Sequence, residues 1–250
     1  MIRSLLVRGM LVGVAAGVLA AAFAYAFGEP QIQHAIDFEE QLVRANGDPA
    51  EAELVSRETQ RTAGLLTGTV LLGAALGGIF ALVFAWAYGR IGAMSPRLTA
   101  AVLALGAFLT ITVVPFTKYP ANPPIVGNPD TIDRRTVLHI TMIAISILAA
   151  VAAVRIRRHL ADRLGGWNAT IVAAGAFLAV IAAAQLILPA VHETPAGFPA
   201  DVLYRFRLAS LGINLTLWTA IGLGFGAAAQ RLLARSRPGS SQPAHSLNRA

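Results

Sequence analysis

The sequence predicts an all-α polytopic membrane protein of about six transmembrane helices. Only 13% of its 250 residues are charged, against roughly 25% in a soluble domain. Its composition is 56% hydrophobic with a mean hydropathy of +0.62. The apolar residues also occur in blocks of about 18 to 25, close to the roughly 20 residues that a helix needs to cross a bilayer.

Six apolar segments are predicted to be the membrane spans, namely Leu5–Phe27, Ala63–Tyr88, Leu98–Pro115, Val137–Val154, Ala169–Leu188 and Leu208–Ala229. Residues 1–237 therefore form a single transmembrane domain. The first segment follows two arginines and also resembles a cleaved signal peptide, but its length of about 23 residues exceeds the usual apolar region and favours a membrane anchor. Residues 238–250 are rich in Ser, Pro and Gln and are predicted to be a disordered cytoplasmic tail.

The distribution of charge predicts the orientation of these spans. With the N-terminus inside, the inner segments hold 12 basic residues and one acid, whereas the outer loops hold 8 basic residues and 12 acids. An excess of Lys and Arg marks the cytoplasmic side. Both termini are therefore predicted to lie in the cytoplasm.

Composition and motifs exclude several classes of function. The net charge of +7 comes from residues that flank apolar blocks, not from a basic stripe with interleaved aromatics, so nucleic acid is not an expected partner. The absence of cysteine excludes disulfides, thiolate metal sites and thiol catalysis. No Walker A sequence or hydrolase motif occurs, and neither an enzymatic activity nor a bound cofactor is predicted.

Two patterns concern the packing of the helices. The three outward-running helices are expected to end near Pro30, Pro115 and Pro189, each followed by a polar outer loop and then a basic pair, which suggests three parallel hairpins. The alternative is that proline ends each helix and arginine anchors the next at the interface. Glycines spaced four apart predict close contacts between helices, either within the chain or in an oligomer: Gly9/Gly13/Gly17, Gly64/Gly68, Gly73/Gly77 and Gly222/Gly226.

Histidine and acidic residues concentrate on the predicted outer side and are candidates for binding a divalent metal ion. Imidazole together with carboxylate suits borderline ions such as cobalt, nickel or zinc. The candidates are Glu29, His34, Glu40, His139, His192 and Glu193. Glu29 and the His192–Glu193 pair are favoured because a carboxylate at the membrane exit needs a partner. The competing interpretation is that these acids are solvated loop residues.

Several motifs resemble those of the CbtA family, a family of proposed cobalt transporter subunits. They extend from the first helix exit to the last helix: Gly28-Glu29-Pro30, Ala35-Ile36 and Glu39-Glu40; Arg57, Gln60 and Gly64; Gly77-Gly78-Ile79-Phe80-Ala81 and Tyr88-Gly89-Arg90; Val114-Pro115-Phe116-Thr117-Lys118-Tyr119-Pro120-Ala121-Asn122-Pro123-Pro124; Gly127, Pro129-Asp130-Thr131-Ile132 and Arg135-Thr136; His192-Glu193, Pro195, Phe198-Pro199-Ala200-Asp201-Val202-Leu203, Phe206-Arg207 and Ser210-Leu211-Gly212.

The resemblance implies passage of cobalt through the plasma membrane of bacteria. It also implies a small one-span partner, a CbtB-like subunit with a histidine-rich motif, which would explain why this chain holds only 5 histidines. The family is usually described with five spans, one fewer than predicted here.

The shared motifs suggest structural roles for Lys118, Tyr119, Pro120, Asn122, Pro123, Pro124, Asp130, Arg135, Asp201 and Arg207. The proline-rich segment is expected to be stiff and extended, suited either to a plug over the outer mouth or to a rigid cap on the bundle. Lys118 is expected to repel cations or to pair with Asp130.

Two functions remain open at this point. The leading hypothesis is a permease component for cobalt or a related divalent ion, in which the outer histidines and acids converge above a polar path between helices. The alternative is a non-transporting scaffold or partner-binding subunit, with a fully packed bundle. A membrane enzyme is a distant third hypothesis, since no motif supports it.

Overall fold

The computed structural model describes residues 2–47, 55–124, 126–191 and 193–235, and every long element within them is a helix. Five continuous helices are long and apolar enough to cross a membrane: Ile2–Asn46, Arg57–Ala87, Pro96–Lys118, Ile132–Ile187 and Ala200–Arg235. The predicted all-α class is confirmed, and the chain is a multi-pass membrane protein. The predicted disordered tail lies outside the described residues.

Three of these helices contain a π-helical turn. The first consists of α1 (Ile2–Phe23), a π turn (Ala24–Gly28) and α2 (Glu29–Asn46). The second consists of α3 (Arg57–Thr59), a π turn (Gln60–Gly64) and α4 (Leu65–Ala87). The third consists of α5 (Pro96–Ala107), a π turn (Phe108–Val113) and α6 (Val114–Lys118). The last two helices are α7 (Ile132–Ile187) and α8 (Ala200–Arg235).

The sequence predicted that the first helix ends near Pro30, and this prediction is wrong. The helix continues to Asn46, about five turns past Phe27. Pro30 lies in the first turn of α2, directly after the π turn, where a missing N–H removes no α-helical hydrogen bond. The helix ends instead where Gly47 adopts a φ of 74°.

The predicted fourth and fifth spans both lie in α7. Gly165 interrupts this helix with a φ of 75° and a ψ of 157°. On either side of it, Met142 and Ile181 belong to one buried apolar cluster, although a straight helix would separate them by about 58 Å. The chain therefore reverses direction at Gly165 and forms a hairpin, whose most apolar stretch is only 17% buried.

The glycine stripes of the first two helices pack against each other. A methyl group on Gly13 would overlap the carbonyl oxygen of Gly73, and a methyl group on Gly9 would overlap the carbonyl oxygen of Gly77. The two backbones therefore touch along antiparallel helices, as small residues four apart permit. Packing within the chain is confirmed for this stripe, whereas nothing lies within 4 Å of a Cβ placed on Gly68.

The last helix completes the core in the same way. Gly222 and Gly226 of α8 face Ala104 and Ala100 of α5, respectively. Beside them a cluster of aromatic rings joins α4 to α8, in which Phe225 meets Phe84 edge-on at 5.1 Å between ring centroids. The centre of the bundle is therefore built from α1, α4, α5 and α8.

The loops gather at two opposite ends of the bundle. At one end, the arginine end, Arg158 of α7 donates a hydrogen bond to the backbone carbonyl of Arg90. At the other end, the cap end, the described parts of the segments 29–61, 117–135 and 188–207 meet, and a buried cluster of Ala35, Val126, Phe198 and Val202 joins them. The repeat of three hairpins stays a prediction. Its first two outward helices share a π turn before proline, but the third ends at Ile187 without one.

Candidate functional site

The segment Lys118–Pro124 is held down on the α7 hairpin by its first two side chains. The Tyr119 hydroxyl donates a hydrogen bond to the carbonyl oxygen of Pro189 at 2.8 Å, and its side chain is 9% exposed. Lys118 donates through Nζ to the carbonyl oxygen of Gln185 at 2.6 Å. Lys118 therefore does not pair with Asp130, whose side chain is exposed.

Asn122 connects the same segment to α8. Its Oδ1 atom accepts a hydrogen bond from Arg207 at 2.9 Å, across 85 positions of the chain. Through these contacts with α7 and α8, residues Lys118–Pro124 cover this end of the bundle. We call them the cap segment.

Glu193 is the most fully bonded carboxylate of the cap end. Its Oε2 atom accepts hydrogen bonds at 2.9 Å from the backbone N–H of Asn128 and from the hydroxyl of Thr131. Arg135 lies 3.5 Å away through Nε. The backbone hydrogen bond, then the hydroxyl and the nearby guanidinium, lower the pKa of Glu193 below its ordinary value. This carboxylate is ionised at neutral pH, and its Oε2 atom is engaged by these donors.

Glu29 lies at the start of α2 and is 9% exposed. It forms an ion pair with Arg57 of α3. The carboxylate therefore has the counterion that a largely buried charge requires, and the first two helices are tied together at the cap end.

Among the described residues, the remaining predicted metal ligands do not assemble into one site. His34 is exposed, and Glu40 pairs along α2 with Arg44 at 2.7 Å. Asp201, one of the predicted structural residues, is exposed as well. His192 lies outside the described residues. Within the described part of the chain, no group of three His, Cys, Asp or Glu side chains could hold a metal ion.

A cavity of about 1010 Å³ opens at the cap end, and we call it the cap pocket. The cap segment, the start of α7, the loop after α7 and the start of α8 form its walls. Its ionisable side chains are Glu39, Lys118, Tyr119, Arg135, His139, Glu193 and Arg207. His139 is half-buried and contacts the backbone of Tyr119. The pocket thus unites one predicted histidine and one predicted acid with three basic residues.

Sequence reasoning missed the polar groups that hold this pocket together. Gln185 bonds the last two residues of α6, because its Nε2 atom donates to Thr117 Oγ1 at 2.6 Å and its backbone carbonyl accepts from Lys118 Nζ. The signal for Gln185 was its polarity within an apolar span. The role of Asn128 as a donor to Glu193 had no comparable signal.

A second polar pair lies deeper in the bundle. Thr112, in the π turn before α6, donates to Asn214 Oδ1 at 3.4 Å. Asn214 lies seven residues beyond Arg207 on α8, which corresponds to about 10 Å along the helix axis. The pair thus lies between the cap pocket and the middle of the bundle.

A family model matches residues 2–230, nearly the whole transmembrane domain. The chain belongs to the CbtA family. The family is described as that of the probable cobalt transporter subunit CbtA. No curated protein and no solved structure is significantly similar to the chain.

Membership in the CbtA family agrees with the motifs identified in the sequence. The family is a membrane transporter family for cobalt, which implies a transport role and not an enzymatic one. The cap segment and the residues around Glu193, which carry much of the resemblance, are also those that form the cap pocket.

Proposed function

We propose that the chain is the membrane-embedded permease component for cobalt or a related divalent metal ion, with the cap pocket as its outer mouth. The observation that carries this proposal is the position of the pocket above the polar pair of Thr112 and Asn214. A polar group within a span is costly and commonly marks the path of a substrate. Membership in the CbtA family supplies the identity of the ion.

The proposed topology has six crossings, with both termini in the cytoplasm of a bacterial plasma membrane. The reversal of α7 at Gly165 supports the count, because each arm of this hairpin is an apolar helix. The contact between Arg158 and Arg90 supports the grouping of the basic loops at one end. The excess of arginine at that end then assigns it to the cytoplasm.

A small one-span partner subunit of the CbtB type is part of this proposal. The described residues hold no group of three metal-ligating side chains, so selective capture of a bare ion needs ligands from elsewhere. Glu29 and Glu193 are also occupied by Arg57 and by Asn128, respectively. These two observations are also compatible with the alternative function, a non-transporting scaffold. The following experiment distinguishes the permease from the scaffold.

The test is uptake of radiolabelled cobalt by cells that lack their own cobalt importers. The cells would carry the chain alone, the chain with its one-span partner, or the partner with an Asn214→Leu variant. We expect partner-dependent uptake that the Asn214→Leu variant abolishes, because leucine closes the polar path. Asn168→Leu, at an exposed position of the arginine end, is the matched control and should transport normally.

The opposite result is equally clear. If no combination raises uptake above background while all forms reach the membrane in equal amounts, the permease proposal is wrong. The bundle would then act as a scaffold.

A further inference from the structure

We propose that the cap pocket receives the metal as an anionic chelate with a small polycarboxylate, and not as a bare cation. This inference rests on the proposed transport function and names the form of the cargo. It follows from the size of the pocket, the sign of its charges and the state of its donors.

The pocket is far larger than a metal ion requires. A divalent ion in a protein site is surrounded by ligands at about 2.0–2.6 Å. Pockets for small organic molecules typically measure about 300–1,000 Å³. The cap pocket, at about 1010 Å³, has the volume of a site for an organic molecule.

The charges on its walls favour an anion. Lys118, Arg135 and Arg207 face Glu39 and Glu193. Arg135 and Glu193 lie 3.5 Å apart and largely neutralise each other. Among the described residues, neither Lys118 nor Arg207 has an acidic partner, because each bonds only a neutral oxygen. With Glu39 counted, the three basic and two acidic side chains leave the pocket one net positive charge, which favours a carboxylate over a bare divalent cation.

Arg207 has donors to spare for such a ligand. A guanidinium carries five N–H donors in a planar fork that matches a carboxylate. The described contacts of Arg207 use one nitrogen, on Asn122, and its Nε atom is buried without a hydrogen-bond partner in the described part of the chain. The Nε atom is not accessible, so the donors left for a carboxylate within the pocket are those of Nη1, which no described contact uses.

A chelated cargo also accounts for the missing metal ligands. A chelated ion brings its own ligands, so the protein needs no group of three His, Asp or Glu side chains, and none exists among the described residues. A tricarboxylate also keeps a net negative charge after binding one divalent ion. Recognition through Arg207 and Lys118 would therefore depend on the chelator.

The test is a binding titration of the purified full chain in detergent with three probes: cobalt citrate, citrate alone and cobalt chloride. Isothermal calorimetry would measure each dissociation constant. We expect cobalt citrate and citrate to bind and cobalt chloride to bind much more weakly. Because a charge-assisted contact is lost, Arg207→Gln should weaken binding of cobalt citrate at least about tenfold. Arg205→Gln, at an exposed position two residues away, should leave it unchanged.

A second variant separates binding from the structure of the cap. Arg207 also holds Asn122, so its loss would loosen the cap segment. Asn122→Ala removes that bond but keeps the positive charge, and we expect it to bind cobalt citrate within about twofold of the unmodified chain. If Asn122→Ala loses binding as fully as Arg207→Gln, the arginine acts only through the cap and the proposal is wrong.

Other outcomes would also overturn the chelate. One is tight binding of cobalt chloride with no competition by citrate. Another is a bound anionic phospholipid that is retained in native mass spectra, is lost in Arg207→Gln and is not displaced by citrate, because the pocket would then hold a lipid phosphate.

Uptake measurements distinguish a failure of the chelate from a failure of the permease. Uptake of cobalt from the chloride without any effect of citrate would refute the chelate and leave the permease intact. Citrate binding without uptake would refute the permease alone.

Discussion

Glu29 and Arg57 form an ion pair between the first two helices, across 28 positions of the chain. Their side chains are only 11% and 21% exposed, respectively. A π turn adjoins each partner, since Ala24–Gly28 directly precedes Glu29 and Gln60–Gly64 closely follows Arg57. The pair therefore fixes the cap end of a hairpin whose body is held by direct contact between glycine backbones.

Removing one member of this pair should destabilise the protein. We expect Glu29→Gln to cost on the order of 2 kcal/mol, because the guanidinium of Arg57 would be left partly buried without a counterion. The double variant Glu29→Gln/Arg57→Gln should cost less than the sum of the two single changes. Unfolding by SDS titration in detergent would measure all three. Additive single effects would show that the two side chains do not interact.

The contact between α1 and α4 predicts a strong effect of adding one methyl group. Gly13→Ala should destabilise the protein by about 1–3 kcal/mol, because the methyl overlaps the carbonyl oxygen of Gly73 and forces the helices apart. Gly68→Ala is the matched control, since nothing lies within 4 Å of its Cβ position. The control should be neutral or stabilising by up to about 1 kcal/mol, from the better helix propensity of alanine. Equal effects of the two variants in SDS titration would argue against the contact.

The turn at Gly165 provides a second matched pair. A φ of 75° with a ψ of 157° lies in a region that only glycine adopts readily. Gly165→Ala should therefore cost about 1–3 kcal/mol in SDS titration. Gly166→Ala, the next residue, has open space around its Cβ position and should not destabilise the protein. Tolerance of Gly165→Ala would mean that the hairpin turns elsewhere.

Glu193 predicts a dependence of stability on pH. Its pKa is lower in the folded chain than its ordinary value of 4.5. The ionised carboxylate therefore stabilises the fold above the ordinary value, and this contribution is lost as the pH falls through the lowered pKa. At pH 7, Glu193→Gln should lower the melting temperature. This decrease should become smaller as the pH is lowered toward 3. Asp201→Asn, which is exposed, controls for the loss of one negative charge. An effect of Glu193→Gln that does not change with pH would contradict the assignment.

The orientation can be tested because the chain has no cysteine. Single cysteines at Asp130, on the cap end, and at Trp167, 77% exposed near Gly165, would report the two sides of the membrane. An impermeant maleimide should label intact cells at position 130 and label position 167 only after lysis. The reverse pattern would invert the proposed topology.

The sequence was sufficient for the features that depend on local patterns. Apolar blocks located the helices, and three of the four glycine patterns lie on faces that pack within the chain, whereas Gly64/Gly68 does not. The helix past Pro30 was not foreseen, because a π turn can place a proline at the start of a new helical segment. Nothing in a single sequence signals such a turn.

The cap pocket depends on contacts that one sequence does not encode visibly. Tyr119 meets Pro189 across 70 positions, and Arg207 meets Asn122 across 85. The sequence indicated that Glu29 and Glu193 need partners, but not which residues these are. The structure gives Glu29 the guanidinium of Arg57 and Glu193 the backbone N–H of Asn128.

The exposed α7 hairpin has a consequence for the surrounding lipid. Its most apolar stretch is only 17% buried, against 33–39% in the other long helices. Its polar attachments lie near its extremities, where Gln185 bonds Thr117 and Lys118 at one and Arg158 bonds the carbonyl of Arg90 at the other. Most of the apolar surface between these attachments is therefore left to contact the acyl chains of the bilayer.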